Sequence, residues 1–270
     1  MEALLGFGSY GAVVRAWYDG HPYAIKGFWD RGEGIEITRS RFATEAAILR
    51  SIDHPQVPRC IEAFERDGCF YLVQTYVTGE PLSAQVMAGV RFTEEQVVAV
   101  LDQLLGILQA IHESARGAWP VIHRDLRLSN VFWSNGQVFL IDFGLARRMG
   151  CPADQALTDP VSVRADADGP ECNASGCQQS SIEESADRRY RIRRRAISPQ
   201  SDLFGAGVVA VDMMVNHVPP EIRDGQKWDQ LVPLSPGMIA FLRRLMGEAA
   251  VEAWPSAAEA RAALHRLIRT

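Results

Sequence analysis

Strand-like runs dominate the first part of this chain, and helical periodicity dominates the rest. Residues 4–28, LLGFGSYGAVVRAWYDGHPYAIKGF, read as strand, glycine turn and strand. Val13, Val14, Trp17 and Tyr18 favour extended backbone, and Asp19-Gly20 marks a hairpin turn before a further strand at 23–28. Residues 40–52 read as a helix, with Phe42, Ala46, Leu49 and Ile52 at helical spacing. The run HPQVP at 54–58 breaks it. Residues 60–77 then read as a second hairpin that turns at Asp67-Gly68. Beyond 78 the period changes. Thr93 and Gln96 form a capping box, followed by a helical stripe of Val97, Val98, Leu101, Leu104, Leu105, Leu108 and Ile111, which reads as core packing. Two short strand-like runs follow, at 121–130 and 138–144, with polar loops. Residues 151–195 have no period and are rich in Ser, Asp, Gly and Arg, so they read as loop. Helical spacing returns at 201–215, 239–248 and 256–267. The order predicts an α+β chain, a small strand-rich part followed by a larger helical one, without internal repeats.

The 270 residues suffice for one large domain or two closely packed lobes. A net charge of −5 argues against a general nucleic-acid binder. The longest apolar run, Phe204 to Val215, contains Asp212 and falls short of the roughly 20 residues of a membrane helix. The first residues carry Glu2 and no long apolar run, so no signal peptide is expected. No membrane partner and a cytoplasmic location are therefore expected. The 5 cysteines, at 60, 69, 151, 172 and 177, form no CxxC pair and read as reduced thiols.

Lys26 and Lys227 are the only lysines among 28 Lys and Arg residues. A surface ion pair accepts either type, whereas a compact charge beside a phosphate favours Lys. The rest of the chain supplies the pocket for such a phosphate. Gly6, Gly8 and Gly11 fit GxGxxG, which alone reads equally as a turn without a ligand. Strands rather than a helix follow it, which excludes a dinucleotide fold. Glu45, on the helix at 40–52, reads alone as a solvated side chain, but it can also orient Lys26. Asp125, Asn130 and Asp142, on two loops, are the oxygen ligands that magnesium takes when it bridges the phosphates of a nucleotide.

In this order, Gly6/Gly8/Gly11 with Val13, AIK at 24–26, Glu45, HRDLRLSN at 123–130 and DFG at 142–144 resemble the eukaryotic-type (Hanks-type) serine/threonine protein kinases. SDLFGAGV at 201–208 resembles that family's large-lobe helix with its buried Asp, and WPSAAEA at 254–260 its last helical motif. The resemblance covers nearly the whole chain apart from 151–195. It implies one kinase domain over 1–270, with a small antiparallel-sheet lobe carrying one helix (1–77) and a larger, mainly helical lobe (78–270). It implies ATP and Mg2+ as cofactors and transfer of the γ-phosphate to a Ser or Thr hydroxyl of a protein substrate. Residue by residue, the glycine loop covers the phosphates, Lys26 grips them and Glu45 orients Lys26. Asp125 is the catalytic base, Arg127 stands on the substrate side, and Asn130 and Asp142 bind magnesium. Val13, Ala24 and Phe132 sandwich the adenine, and the backbone from Thr75 to Val77 bonds its edge. Gln74 stands at the back of that pocket, where apolar residues are common. Two other readings are a pseudokinase that binds ATP or a partner without efficient catalysis, and a small-molecule phosphotransferase of the same broad fold.

Three features depart from the family pattern. Its APE motif is expected about a dozen residues before Asp202, where Arg189, Tyr190 and Arg191 stand. SPQ at 198–200 reads as too close to Asp202 to replace it. The Arg that pairs with the APE Glu is replaced by Trp254, so both partners of that ion pair are missing, which is milder than losing one. The segment 145–200 is therefore an atypical activation segment. It carries candidate phosphosites Thr158, Ser162, Ser180 and Ser181 and a run of arginines from 188 to 195, and Arg124 beside Asp125 suits a loop organised by a phosphate. Only five residues precede Gly6, so the first strand reads as clipped.

Overall fold

The computed structural model describes residues 3–8, 11–113, 119–155, 196–216, 226–248 and 252–269. The candidate phosphosites, the arginine run, Cys172 and Cys177 lie outside them. The described part begins with a five-stranded antiparallel sheet of order β1-β2-β3-β5-β4, built from β1 (Ala3–Gly8), β2 (Gly11–Tyr18), β3 (His21–Phe28), β4 (Cys60–Arg66) and β5 (Cys69–Thr75). The helix α1 (Ile35–Ser51) packs against β4 and β5. The two Asp-Gly pairs do what the sequence predicts. Asp19 and Gly20, with φ of 49° and 74°, close the β2–β3 hairpin, and Asp67 and Gly68, at 52° and 74°, close β4–β5. Two successive left-handed residues match the twist of the flanking strands. α1 starts at Ile35, earlier than the predicted residue 40, because its first turn carries exposed Ile35 and Ile37 and gives no amphipathic signal.

Past Thr75 the chain becomes helical. A short strand β6 (Glu80–Pro81) leads into α2 (Leu82–Met87) and α3 (Glu94–His112). Thr93 caps α3 by accepting from the Gln96 N–H while Gln96 reaches back to the Thr93 N–H, the predicted box. Leu101, Leu104, Leu105 and Leu108 are all fully buried, and each such burial stabilises by about 1.5–3 kcal/mol. β7 (Val121–Ile122) pairs with β10 (Arg147–Arg148), and β8 (Val131–Ser134) lies between β6 and β9 (Gln137–Leu140). The β8–β9 hairpin turns on Asn135-Gly136, a signal the periodicity analysis passes over. Leu128–Asn130 form a 3-10 turn, and α4 (Pro152–Gln155) is a helical turn at the start of the segment read as loop.

α5 (Pro199–Val215) is buried on every side from Ser201 to Val215, as expected of a helix apolar all round. α3 and α7 (Pro236–Leu245) pack on it, α6 (Trp228–Leu231) lies beside it, and α8 (Ala257–Ile268) packs on α3 and α7. Ser198 is the N-cap of α5 and Pro199 opens its first turn, so SPQ belongs to this helix. Gln200 donates to the Pro255 carbonyl at 3.1 Å, which ties SPQ to the WPS segment after all. Where the family's ion pair is missing, the Arg244 guanidinium lies 3.6 Å from the centre of the Trp254 ring. No helix among the described residues is long and apolar enough to cross a membrane.

Gly11 shows how tightly the start of the sheet is set. It pairs with Phe28, and a Cβ built on it would lie 1.6 Å from the Gly27 carbonyl oxygen. Only strand separation relieves that contact. Gly11→Ala is expected to cost about 3 kcal/mol of stability, read as a lower urea midpoint.

Candidate active site

Strand alternation puts Ala24 and Lys26 of β3 on one face of the sheet. Their partners across β3–β5 are Gln74 and Leu72, and Val13 of β2 stands opposite Lys26 on the other side. Gly6 and Gly8 lie on β1, where Gly8 pairs with Gly11. Phe132 lies on β8 opposite Pro81 and Phe139. Thr75 ends β5, and Val77 lies in the segment leading to β6.

Lys26 is the centre of a charged triad. Its Nζ donates to Glu45 Oε1 at 2.8 Å and Oε2 at 2.9 Å, and to Asp142 Oδ1 at 2.7 Å. Glu45 comes from α1, Lys26 from β3 and Asp142 from the loop after β9, so one ammonium joins three elements. Burial alone would lower the Lys26 pKa, but Asp142 and Glu45 together hold it above its ordinary value. The two carboxyls then diverge. Burial lifts Glu45 above the usual carboxylate range against the pull of Lys26. Asp142 is held below that range, because Lys26 and the Gly144 N–H outweigh its own burial. Gly144 presses on the triad: a Cβ there would meet Asp142 Oδ1 and Lys26 Nζ at 3.1 Å and Glu45 Oε2 at 3.2 Å.

The second half of the site is the loop after β7. Asn130 Nδ2 donates to the Asp125 carbonyl at 2.9 Å and to Asp125 Oδ2 at 3.1 Å. Arg127 Nε lies 3.2 Å from Asp125 Oδ1. With its nitrogen turned to Asp125, the Asn130 amide has its oxygen on the other side, toward Ser129 Oγ at 3.4 Å. An amide oxygen and a carboxylate whose side chain is 43% exposed, Asp142, are the donor types magnesium takes. Among the described residues there is no cluster of three or more His, Cys, Asp or Glu for a metal.

The two loops are locked to each other and to α5. The Ile141 carbonyl can only accept, so His123 carries its proton on Nε2, 3.1 Å away. Its Nδ1 then accepts the Asp125 N–H at 3.2 Å. Ile141 N donates to the Asn130 carbonyl, and the His123 ring meets Phe143 edge-on at 4.8 Å between centres. Asp202 of α5 closes the assembly. Its buried carboxylate accepts His123 N at 2.8 Å, Arg124 N at 2.7 Å and His112 Nε2 at 2.9 Å. Arg124 and Asp142 have φ of 66° and 62°. Unlike Asp19, Asp67 and Asn135, neither precedes a turn glycine. Backbone strain of this kind persists where surrounding bonds over-determine it, and for Arg124 those bonds come from Asp202. Arg124 is 2% exposed, and its Nη1 reaches the Leu145 carbonyl at 3.2 Å. Asp202→Asn sets an NH2 against buried N–H donors and is expected to cost about 3 kcal/mol or more, read by urea denaturation.

Of the residues predicted to form the site, Lys26, Glu45 and Asp142 are thus joined by direct bonds, and Asp125 is bonded to Asn130 with Arg127 beside it; Gly6, Gly8, Gly11, Val13 and Ala24 are placed by β1, β2 and β3, and Phe132 by β8. Sequence reasoning missed a further tie. Gln56 Nε2 donates to Gln103 Oε1 at 2.7 Å and to the Val138 carbonyl at 2.8 Å, and its own carbonyl accepts Leu140 N. The loop that follows the Glu45 helix is thereby fastened to the strand that leads to Asp142. The only local signal for it was HPQVP, read as a helix breaker.

An antiparallel sheet with one helix, set on a helical lobe with Lys, Asp, Asn and Asp at the junction, is the two-lobed α+β kinase fold. The family model for the protein kinase domain matches residues 1–165, and the chain belongs to the protein kinase family. It is 32% identical over 152 residues to a probable serine/threonine-protein kinase, YbdM, of Bacillus subtilis (strain 168), covering 55% of this chain and 57% of that one. It is 28% identical over 260 residues to serine/threonine-protein kinase B of Synechocystis sp., covering 90% of this chain and 42% of that protein. Human serine/threonine-protein kinase H1 is 31% identical over 153 residues, covering 54% of this chain and 34% of its own. The chain thus spans less than two thirds of these curated relatives.

Proposed function

We propose that this chain transfers the γ-phosphate of ATP, with magnesium, to a Ser or Thr hydroxyl of a protein, with residues 1–77 as the small lobe and 78–270 as the large one. The observation that carries this reading is the closed Lys26–Glu45–Asp142 triad, with Lys26 Nζ bonded to both carboxylates. It is the arrangement that a phosphate-gripping lysine and a cation ligand need before substrate arrives. The kinases of Bacillus, Synechocystis and human named above support Ser/Thr as acceptor.

Each group has a role in the step. The hydroxyl oxygen forms a bond to the γ-phosphorus while the bond to the β–γ bridging oxygen breaks, and ADP leaves. Asp125 accepts the hydroxyl proton. Asn130 orients the Asp125 carboxylate through its Nδ2, and Arg127 sits on the substrate side. Glu45 holds Lys26 in place against the phosphates. Asn130 and Asp142 would hold magnesium, which would supply positive charge to the phosphates. Val13, Ala24 and Phe132 enclose the base, and the backbone from Thr75 to Val77 bonds its edge. Because the groups are fixed in advance, they need little reorganisation in the transition state.

The test is phosphate transfer from γ-labelled ATP and magnesium onto the protein itself and onto a generic basic protein. Label on serine or threonine after hydrolysis supports the proposal. ATP bound without transfer makes the chain a nucleotide-binding pseudokinase instead.

A further inference from the structure

Just past the two loops of the site, a single carboxylate closes the chain into a ring, and the chemistry above does not use it. Asp154 is 1% exposed, and its three side-chain bonds go to Arg148. Its Oδ2 accepts Arg148 N at 2.6 Å and Nε at 3.0 Å, and its Oδ1 accepts Nη2 at 2.7 Å. The Arg148 carbonyl accepts Cys151 N, and the Cys151 carbonyl accepts Asp154 N. The chain from 148 to 154 thus returns on itself. The ring is also fastened to the run that leads to Asp125. Met149 N donates to the Pro120 carbonyl at 2.7 Å. Gly150, at φ 83°, packs on Trp119 so closely that a Cβ would meet the indole at 3.0 Å.

Arg148 ends β10 and pairs with Val121 of β7. β7 leads into His123, Arg124 and Asp125, and β10 follows the loop of Asp142. Each of these strands is 2 residues long, and a ladder that short is marginal by itself. A buried carboxylate bonded bidentately to a guanidinium fixes direction as well as distance. We infer that Asp154 is a positioning residue for the transfer step, and that its carboxylate takes the part of a phosphate in ordering the start of the segment after Asp142. The inference rests on the proposed phosphate transfer. A phosphate orders a loop by offering anionic oxygens to an Arg and to backbone N–H groups. Asp154 offers the same pattern to the Arg148 side chain and N–H from within the chain, so the ring forms without modification. Loosening Arg148 frees the β7–β10 ladder and lets the Asp125 loop shift against the Asp142 loop. Lys26 and Glu45 come from β3 and α1, so the grip on the nucleotide changes less than the rate of transfer.

The test has two arms. Wild-type protein is freed of phosphate by a phosphatase, checked by intact mass and separated from the phosphatase. It is then given γ-labelled ATP, magnesium and the generic basic protein. Label is expected on the basic protein at full rate from the first time point. A lag that shortens as label accumulates on the chain itself overturns the inference, because the segment then needs a phosphate. In the second arm, Asp154→Asn and Arg148→Met are each expected to lower kcat about ten- to a hundredfold, with KM for ATP kept within about threefold. The double variant is expected to be no slower than the worse single one. Rates are taken well below the thermal midpoint of each variant, so that a loss of folding does not imitate a loss of kcat. Losses that add in the double variant overturn the link between the two residues. Wild-type kcat in both single variants overturns the positioning role and leaves the proposed transfer standing. ATP bound by the wild type without transfer to any acceptor, before or after the phosphatase, overturns both.

Discussion

Asp125→Asn is expected to lower phosphate transfer by about 10²- to 10⁴-fold, with ATP affinity kept within about threefold. The asymmetry follows from where Asp125 sits. It is bonded to Asn130 and paired with Arg127, within its own loop, whereas Lys26, which grips the nucleotide, is bonded to Glu45 and Asp142. An amide in its place keeps the shape but cannot accept the hydroxyl proton. It also sets an NH2 against either Asn130 Nδ2, which donates, or the positively charged Arg127 guanidinium. Single-turnover transfer and calorimetric ATP binding, measured on one preparation, check both halves. Transfer at wild-type rates would remove Asp125 from the role of base. Loss of ATP binding would mean that the loop as a whole had collapsed.

Much of this site was legible because its residues announce themselves by type and order. A lysine in an arginine-rich chain, a carboxylate on the following helix, and the Asp, Asn and Asp on two loops are local features, and their order was enough to imply the fold. The Asp-Gly turns and the Thr93 box are local as well, since each is set by the φ values or the hydrogen bonds of adjacent residues. The rest is set by partners distant in sequence. Gln56 meets Val138 across 82 residues, and Asp102 meets Arg261 and His265 across more than 150. Neither pairing leaves a trace in periodicity. Gln200 shows the same limit from another direction. By spacing it stands too close to Asp202 to serve as the family's motif, yet its contact with Pro255 depends on how α5 and α8 pack, not on counting residues. The first turn of α1 was missed for a simpler reason. Its Ile35 and Ile37 face water, and periodicity detects only buried faces.

Lys26→Met is expected to abolish ATP binding and also to destabilise the protein by about 3–5 kcal/mol near pH 8, with a smaller loss near pH 5. The two carboxylates that Lys26 serves do not contribute equally. Asp142 has a side chain 43% exposed, so water takes over much of its solvation when the ammonium is removed. Glu45 is 1% exposed and keeps no such recourse. Its carboxyl already stands above the usual range through burial, and Lys26 is the charge that pulls it down. Without Lys26 it rises further. A carboxyl raised in the folded state binds a proton more readily there than in the unfolded chain. The stability tied to that proton is therefore complete below the unfolded pKa and is lost as pH rises through the folded one. The deficit of the variant relative to wild type should accordingly widen from about pH 5 to about pH 8, read as diverging urea midpoints. Adding Glu45→Gln should restore most of the stability and flatten the pH dependence, while ATP binding stays lost. A deficit that is the same at both pH values would show that the Glu45 carboxylate reaches solvent once its partner is gone, and that α1 is held against the sheet by its apolar face rather than by the ion pair.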